Sequence, residues 1–216
     1  MATDSTLDPL MTAVVRDCSN RSLLACLGQI LAEPQRLLKV ADSAYRHQLG
    51  FLKFVLMSDA SGRALRLHVW DSNASVVEDV HSHCAEFVSR VVSGALEERH
   101  YRLAPGDRFT RFRYRFDAAT GHAVAHADGS ADVIEERATL LNAGTIYQRD
   151  AYELHAVEKL SGNAMTVSAW GPRVDEAVVI KPADARAEEC AASAGMPPDA
   201  VEGLLMNIYR SLHAAT

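Results

Sequence analysis

Cysteine is scarce in this sequence and follows no pattern. The four among 216 residues, Cys18, Cys26, Cys84 and Cys190, are scattered, and none forms a CxxC pair. No disulfide framework can be read from them, and free thiols in a reducing cytoplasm are the expectation. Long apolar runs are lacking too: no stretch reaches the roughly 20 residues a membrane-spanning helix needs. The first ten residues, MATDSTLDPL, are polar and acidic rather than basic then apolar, so no signal peptide is expected. Positive charge is in deficit, with a formal net charge of −6, which argues against a nucleic-acid partner. The single basic cluster is Arg108, Arg111, Arg113 and Arg115. Positions two apart share one face of a strand, so Arg111, Arg113 and Arg115 project together. They form either a solvated strand face or an anion-binding wall for a substrate carboxylate.

Apolar residues are plentiful at 48% with 23% charged, enough for a folded body and against disorder. The length suits one domain with helical appendages. Residues 1–50 read as helical. Leu7, Leu10, Met11, Val14 and Val15 recur at helical spacing, SLLACLGQIL continues from Ser22, and Pro34 opens a third helix carrying Leu37, Leu38, Val40 and Ala41. From Phe51 the texture changes to short runs rich in Val, Leu, Phe, Tyr and Thr: FLKFVLM, RALRLHVW, EFVSRVVSG, RFTRFRYRF, TLLNAG, TIYQ, HAVEKL and AMTVSAWG. Turn-forming segments separate them, among them SDASGR, WDSNAS, APGD, DAATGH and LSGN. This is the signature of an all-β barrel or sandwich over 51–175. After Gly171 and Pro172 the pattern predicts helices again over 176–216. One lies in DARAEECAASAG and ends at Gly195; a second, after Pro197 and Pro198, has Val201, Leu204, Leu205, Ile208 and Leu212 on one face.

The chemistry concentrates at His81-Ser82-His83. Two histidines at i and i+2 of a strand present both imidazoles to one point, and His155 in AYELHAV is a candidate third ligand from a neighbouring strand. Nine histidines in the chain make a chance HxH plausible, but this one follows a turn and precedes a β-run ending in Ser93 and Gly94. Three imidazoles suit iron, zinc, copper or nickel and leave coordination positions open, the layout of a catalytic site. Cys84, directly after His83, and Glu153, two residues before His155, are weaker candidate ligands. Tyr152 and Tyr147 stand near His155 in sequence as candidate acids or hydrogen-bond donors. His68 reads as structural, and His122 and His126 as exposed residues of a hairpin.

The segment His81 to Gly94, HSHCAEFVSRVVSG, resembles the first cupin motif, and NAGTIYQRDAYELHAV resembles the second. The resemblance implies a mainly β cupin fold, a double-stranded β-helix with N- and C-terminal α-helices, holding one divalent metal ion on His81, His83 and His155. The glutamate that many cupins add would fall on Phe87; Glu86 beside it faces the other side. Among cupins the chain is most similar to the cysteine dioxygenase and thiol dioxygenase group, through VVSGALEERHY and TIYQRDAYELHAVEKLSGNAMTVSAWGP. That resemblance implies iron(II), with zinc or nickel as alternatives, and dioxygen and a small thiol- or amine-bearing carboxylate as partners. It also marks departures. The crosslinked Cys–Tyr pair of that group would fall on Phe87 and Trp170, its Ser-His-Tyr triad on Thr166, Ser168 and Trp170, and its carboxylate-binding arginine near Lys53. The residues expected at the site are therefore Tyr152, Ser89 and Trp170 around the reaction, Lys53, Phe87 and Arg113 for the substrate, and the three histidines for the metal. Non-redox metal chemistry or ligand binding without turnover are the alternatives. Cupin habit and the helical ends suggest a homodimer.

Overall fold

The structure, a computed structural model, describes residues 7–47, 50–70, 78–117, 122–159, 163–174, 176–186 and 195–215. Three helices open the chain: α1 (Pro9–Arg16), α2 (Arg21–Ala32) and α3 (Pro34–Ser43). Each start has a local cause. Asp8 accepts from the Met11 amide at 2.9 Å and Pro9 occupies the first turn of α1. Asp17 takes the capping role for α2, accepting from the Ser22 amide at 2.7 Å, because Asn20 at the helix start is left-handed and makes no side-chain cap. Pro34 fixes the first turn of α3.

Eleven strands then follow among the described residues: β1 (Tyr45–Arg46), β2 (Leu52–Ser58), β3 (Ala64–Trp70), β4 (Val80–His81), β5 (Phe87–Ser93), β6 (Ala95–Asp117), β7 (His122–Asn142), β8 (Ile146–Arg149), β9 (Leu154–Lys159), β10 (Ala164–Trp170) and β11 (Glu176–Pro182). Helix α4 (Pro198–Ala214) follows them. The strands form two antiparallel sheets, ordered β1-β2-β3-β10-β5-β8 and β11-β4-β9-β6-β7. This is a mainly β architecture of two sheets with terminal helices, as the sequence leads one to expect.

Period-2 alternation divides the six-stranded sheet into two faces. Leu52, Phe54, Leu65, Leu67, Val88, Val167 and Ala169 point one way, into a core completed by Val15, Leu23, Leu27, Ile30, Val201 and Leu205 of the helices. The helices from the two chain ends thus pack together over one sheet, with Tyr209 of α4 3.6 Å from the position a Cβ would take on Gly28 of α2. The opposite face carries Lys53, Arg66, His68, Thr166, Ser168 and Trp170 and looks into the space between the sheets. Truncating a core leucine such as Leu65 or Leu67, both fully buried, costs about 2–5 kcal/mol. Arg90 lies on the helix side of β5, where its Nε donates to the Val15 carbonyl at 2.7 Å.

Three sequence expectations change. Strand β11 continues the barrel past residue 175: it pairs β6 from Glu176 opposite Arg115 to Pro182 opposite Phe109, and the next helix among the described residues is α4, from Pro198. The APGD segment is no turn between strands but a bulge inside β6. There Gly106 leaves room for the Asp132 side chain, which accepts from the Arg108 amide at 3.1 Å and the Arg108 Nε at 2.7 Å. The β6–β7 ribbon is also far longer than the short runs suggested, because charged residues alternate along it and mask its strand character. The turn at 71–75, most of the helix expected up to Gly195, and the tips DAATGH and LSGN lie largely outside the described residues. Among the described residues no helix is long and apolar enough to cross a membrane.

Candidate metal centre

His81 ends β4, His83 lies two residues on, and His155 is the second residue of β9. The barrel brings them together by register: His81 and His155 are direct cross-strand partners. The segment after β4 stays extended because Ser82 donates its amide to the Val178 carbonyl at 2.8 Å and His83 donates to Ala151 at 3.0 Å. The Ser82 hydroxyl meanwhile accepts from the Val178 amide at 2.9 Å. Ser82 thereby faces β11 while the flanking histidines face inward. The three ring centroids stand 4.8–4.9 Å apart.

The donor atoms converge. One ligand nitrogen from each ring lies within 4.8 Å of the others, and the Nε2 atoms of His83 and His155 are 2.8 Å apart. Ligand nitrogens stand about 2.0–2.1 Å from a bound ion, so these three side chains are close enough to share one. The other ring nitrogens fix the tautomers. His81 Nδ1 donates to the Asp79 carbonyl at 2.9 Å, and His155 Nδ1 donates to Glu98 Oε1 at 2.7 Å. Both rings then offer Nε2 lone pairs inward, the arrangement metal-binding histidines share. Burial, helped by the neighbouring His155, holds the His81 pKa down at about 3 and that of His83 well below the ordinary value. Both are neutral imidazoles, the form that ligates.

Behind His155 sits a residue the sequence analysis did not single out. Glu98 on β6 is fully buried. It accepts from His155, from Arg149 Nε at 2.9 Å and from His100 Nε2 at 3.2 Å, and Arg149 Nη2 closes the pair. Burial alone would raise its pKa, but the bonds from His155 and Arg149 outweigh that and hold it at about 2. The signal was present in GALEERHY: Leu96, Glu98 and His100 alternate on one strand face, so a carboxylate shares its face with a buried leucine. A second carboxylate, Glu78, accepts from the Val157 amide at 2.9 Å, and burial pushes its pKa up to about 8.

The residues fit a divalent ion. No family model and no curated protein matches this chain. Solved structures do match, at low identity. DMSP lyases RdDddP and RnDddQII are similar at 15% identity over 56% of this chain and 47% of theirs, with a TM-score of 0.33. KdgF from Halomonas sp. is similar at 13% over 60% and 87%, TM-score 0.37. Hydroxypropylphosphonic acid epoxidase from S. wedmorenis, in complex with fosfomycin, is similar at 11% over 59% and 53%, TM-score 0.37. The chain spans about half the length of the DMSP lyase structure it matches. What the site can do is therefore argued from its own side chains.

The histidines open on a cavity of about 260 Å³ between the sheets. Phe51, Trp70, Phe87, Tyr147 and Trp170 line it with rings, and Lys53, Arg66 and Arg173 add cationic groups. Phe87 and Trp170 are cross-strand partners whose rings stack with centroids 4.5 Å apart, so the positions matched to a covalent Cys–Tyr pair are in contact but carry no thiol or phenol. His83 packs edge-on against both, 5.0 Å from each. Thr166, Ser168 and Trp170 alternate along one face of β10, and all three line the cavity. Ser89, the cross-strand partner of Ser168 on β5, does not line the cavity; its hydroxyl stands 2.8 Å from that of Ser168. Lys53 lines the cavity with Nζ donating to the Tyr45 hydroxyl at 3.1 Å. His68 lines it too.

Two expected residues are elsewhere. Tyr152 is 76% exposed in the turn before β9 and does not line the cavity, because the chain reverses between β8 and β9 and turns it outward. Tyr147, on β8, does line it, as do Tyr45 and Tyr114. Arg113 points away from the cavity while its neighbour Tyr114 points in, as alternation requires. Its guanidinium meets Asp128 at 2.6 Å and Glu176 at 2.9 Å. Arg111 shares Asp128 and Arg115 shares Glu176, so the arginine stripe is an ion-paired outer face. Glu153 pairs with Arg149 at 3.7 Å and lies outside the histidine group. Cys84 lines the cavity without joining that group. His126 is exposed, as expected.

Proposed function

We propose that this chain is a metal-dependent cupin-type enzyme, a non-haem iron oxygenase acting on a small polar carboxylate that bears a thiol or amine. The observation that carries this is the convergence of three imidazoles on one point at the wall of an aromatic-lined cavity. Iron(II) held by His81, His83 and His155 would supply Lewis acidity and redox electrons, with positions left for substrate and dioxygen.

The protein's own groups have definable tasks. Glu98 holds His155 in the Nε2-ligating tautomer and neutralises the charge that gathers behind it. Phe87, Trp170 and Phe51 exclude bulk water from the reacting atoms. Tyr147 is buried, and burial raises its pKa, so it stays a phenol and acts as a hydrogen-bond donor to bound substrate. Lys53, on the cavity wall, would meet the substrate's acid group. The partners implied are a small molecule and dioxygen, with neither nucleic acid nor membrane.

A second reading is non-redox chemistry, a lyase or isomerase with nickel or zinc in the same ligands. It is favoured by Phe87 and Trp170, which replace the redox-linked pair of the thiol dioxygenase group, and by Tyr147 as a protonated acid. Metal content by mass spectrometry on untagged protein, then oxygen uptake with cysteine and 3-mercaptopropionate, separates the two. Iron with thiol-dependent uptake supports the oxygenase. Zinc or nickel, or iron with no uptake, moves the chain to the second reading. If His83→Ala and His155→Ala both keep one metal per chain, neither reading survives and a binding role without turnover takes their place.

A further inference from the structure

Among the described residues, the cations of the cavity wall formed by β2, β3 and β10 make no ion pair with an acid. Arg66 lines the cavity beside Trp170, its guanidinium carbon 4.0 Å from the ring centroid. Among the described residues its Nε is a buried nitrogen with no hydrogen-bond partner, and the same holds for Nε1 of Trp170 and Nε2 of His68. All three side chains line the one cavity. Lys53 stands on the adjacent strand, directly opposite His68 in register. Arg66 makes no ion pair among those found in the described residues, and the groups acting on its charge are Cys84, Arg173 and Tyr45 rather than a carboxylate. Those acting on Lys53 are Arg66, Cys84 and Arg173.

Unpaired buried donors are rare, and a desolvated cation without a partner is destabilising. Here burial lowers the pKa of Arg66 to about 10 and that of Lys53 to about 7. A cluster of two cations and two or three idle N–H donors at the wall of a cavity is what an oxyanion would satisfy. The cavity's acids are accounted for elsewhere: Asp79 pairs with Lys181 at 2.6 Å and Glu78 holds the Val157 amide.

We propose that Arg66, with Lys53 and the indole N–H of Trp170, forms an oxyanion subsite that binds the acid group of the substrate. Arg66 is its principal residue, and the ring-lined remainder of the cavity takes an apolar or planar body of no more than about ten heavy atoms. This deepens the reading that the cavity is the substrate site of a three-histidine enzyme and rests on it. Carboxylate and phosphate offer these donors the same chemistry. The subsite itself is built without the metal ligands.

The test is titration calorimetry and thermal melting with benzoate, its neutral isostere benzamide, and inorganic phosphate. It uses the protein as purified and again after chelator treatment. Benzoate is expected to bind and to raise Tm, benzamide to do neither, and Arg66→Met to weaken benzoate by about tenfold or more. Arg66→Lys should fall between, because it keeps the charge and loses the planar fork. Arg66→Met should also melt at or above the wild-type temperature, since it removes an unpaired buried cation while keeping an aliphatic contact with Trp170. A merely structural arginine would lower Tm and leave the benzoate shift intact. Phosphate displacing benzoate would assign a phosphate-bearing substrate to the same subsite. If Arg66→Met does not fold, Lys53→Met and Trp170→Phe each carry the test through a smaller loss of benzoate affinity. Equal binding of benzoate and benzamide, or wild-type benzoate affinity in these variants, overturns the subsite. Benzoate binding that survives chelation while the purified protein holds no metal would instead remove the enzyme reading and leave the subsite standing.

Discussion

Replacing Glu98 by glutamine tests the metal centre at the residue that positions it without touching the ion. Glu98→Gln keeps the shape but removes the charge that meets His155 Nδ1 at 2.7 Å and the Arg149 guanidinium. Two consequences follow, with different sizes. The His155 ring loses a charged acceptor, and loss of an outer-shell partner of this kind costs about 10- to 100-fold in metal affinity. Arg149 is only 10% exposed, and stranding one member of a buried pair costs about 3–5 kcal/mol. For a chain of this size each kcal/mol lowers Tm by about 2–4 °C, so a fall on the order of 10 °C is expected. Chelator-competition titration measures the first effect and calorimetric melting the second. The double variant Glu98→Gln/Arg149→Met separates them, because removing both charges should restore much of the stability and none of the metal affinity. Wild-type metal affinity in Glu98→Gln would refute the role assigned to this carboxylate. Recovery of affinity in the double variant would show that the loss came from a disturbed fold.

Lys53 gives a pH signature. Its pKa falls from 10.5 to about 7 in the folded protein, so between those values the unfolded chain binds the extra proton and stability rises with pH. Lys53→Met should therefore stabilise the ligand-free protein by on the order of 2–4 kcal/mol below pH 7, with the gain fading toward pH 10; denaturant melts across that range would show a flat difference if Lys53 were already paired. Asp17 shows the opposite sign. Hydrogen bonds from Ser19 and from the Ser22 amide hold its carboxyl well below the usual range, so Asp17→Ala should cost about 1 kcal/mol at pH 7. That cost should disappear as acid protonates the wild-type group, and an unchanged difference at low pH would contradict the cap. Arg113→Ala should leave metal content and benzoate binding at wild-type levels, with stability within about 1 kcal/mol because its ion pairs are exposed; weakened benzoate binding would return the arginine stripe to the site.

The histidine triad was legible because alternation makes a short local pattern, HxH, into a geometric statement about one strand face. The third ligand needed the second motif as well, since nothing local links His155 to His81. Strands β2, β3, β5 and β10 were legible as apolar runs for the same reason that hid their chemistry. They are buried on both faces, one under helices and one toward the cavity, so Arg66 and His68 read as interruptions in RALRLHVW rather than as cavity walls. Glu98 and Arg149 were hidden differently. Each sits in a charged stretch, EER and QRD, where a buried ion pair looks like ordinary surface until the β6–β9 register and the β5–β8 edge bring them within reach of His155. Arg113 misled through the converse error: three arginines two apart do share a face, but a sequence does not say that Asp128 and Glu176 meet them there.

These placements divide the labour of the cavity between its two sheets. The metal ligands and the carboxylate behind them belong to β4, β6, β9 and the segment after β4, all of the five-stranded sheet or joined to it. The cations belong to β2 and β3 of the six-stranded sheet, whose other face is clamped by the helices. A substrate spanning the cavity would then be held by its acid group on one wall and presented to the imidazoles on the other. Metal retention and anion affinity should therefore respond to different substitutions, Glu98→Gln moving the first and Arg66→Met the second. The helices contribute by rigidity. An uncompensated Arg66 is tolerated because Leu65 and Leu67, its neighbours in sequence, are fully buried in the core shared with the helices. The strand cannot turn its polar face to water without withdrawing two leucines from the core, at about 2–3 kcal/mol each.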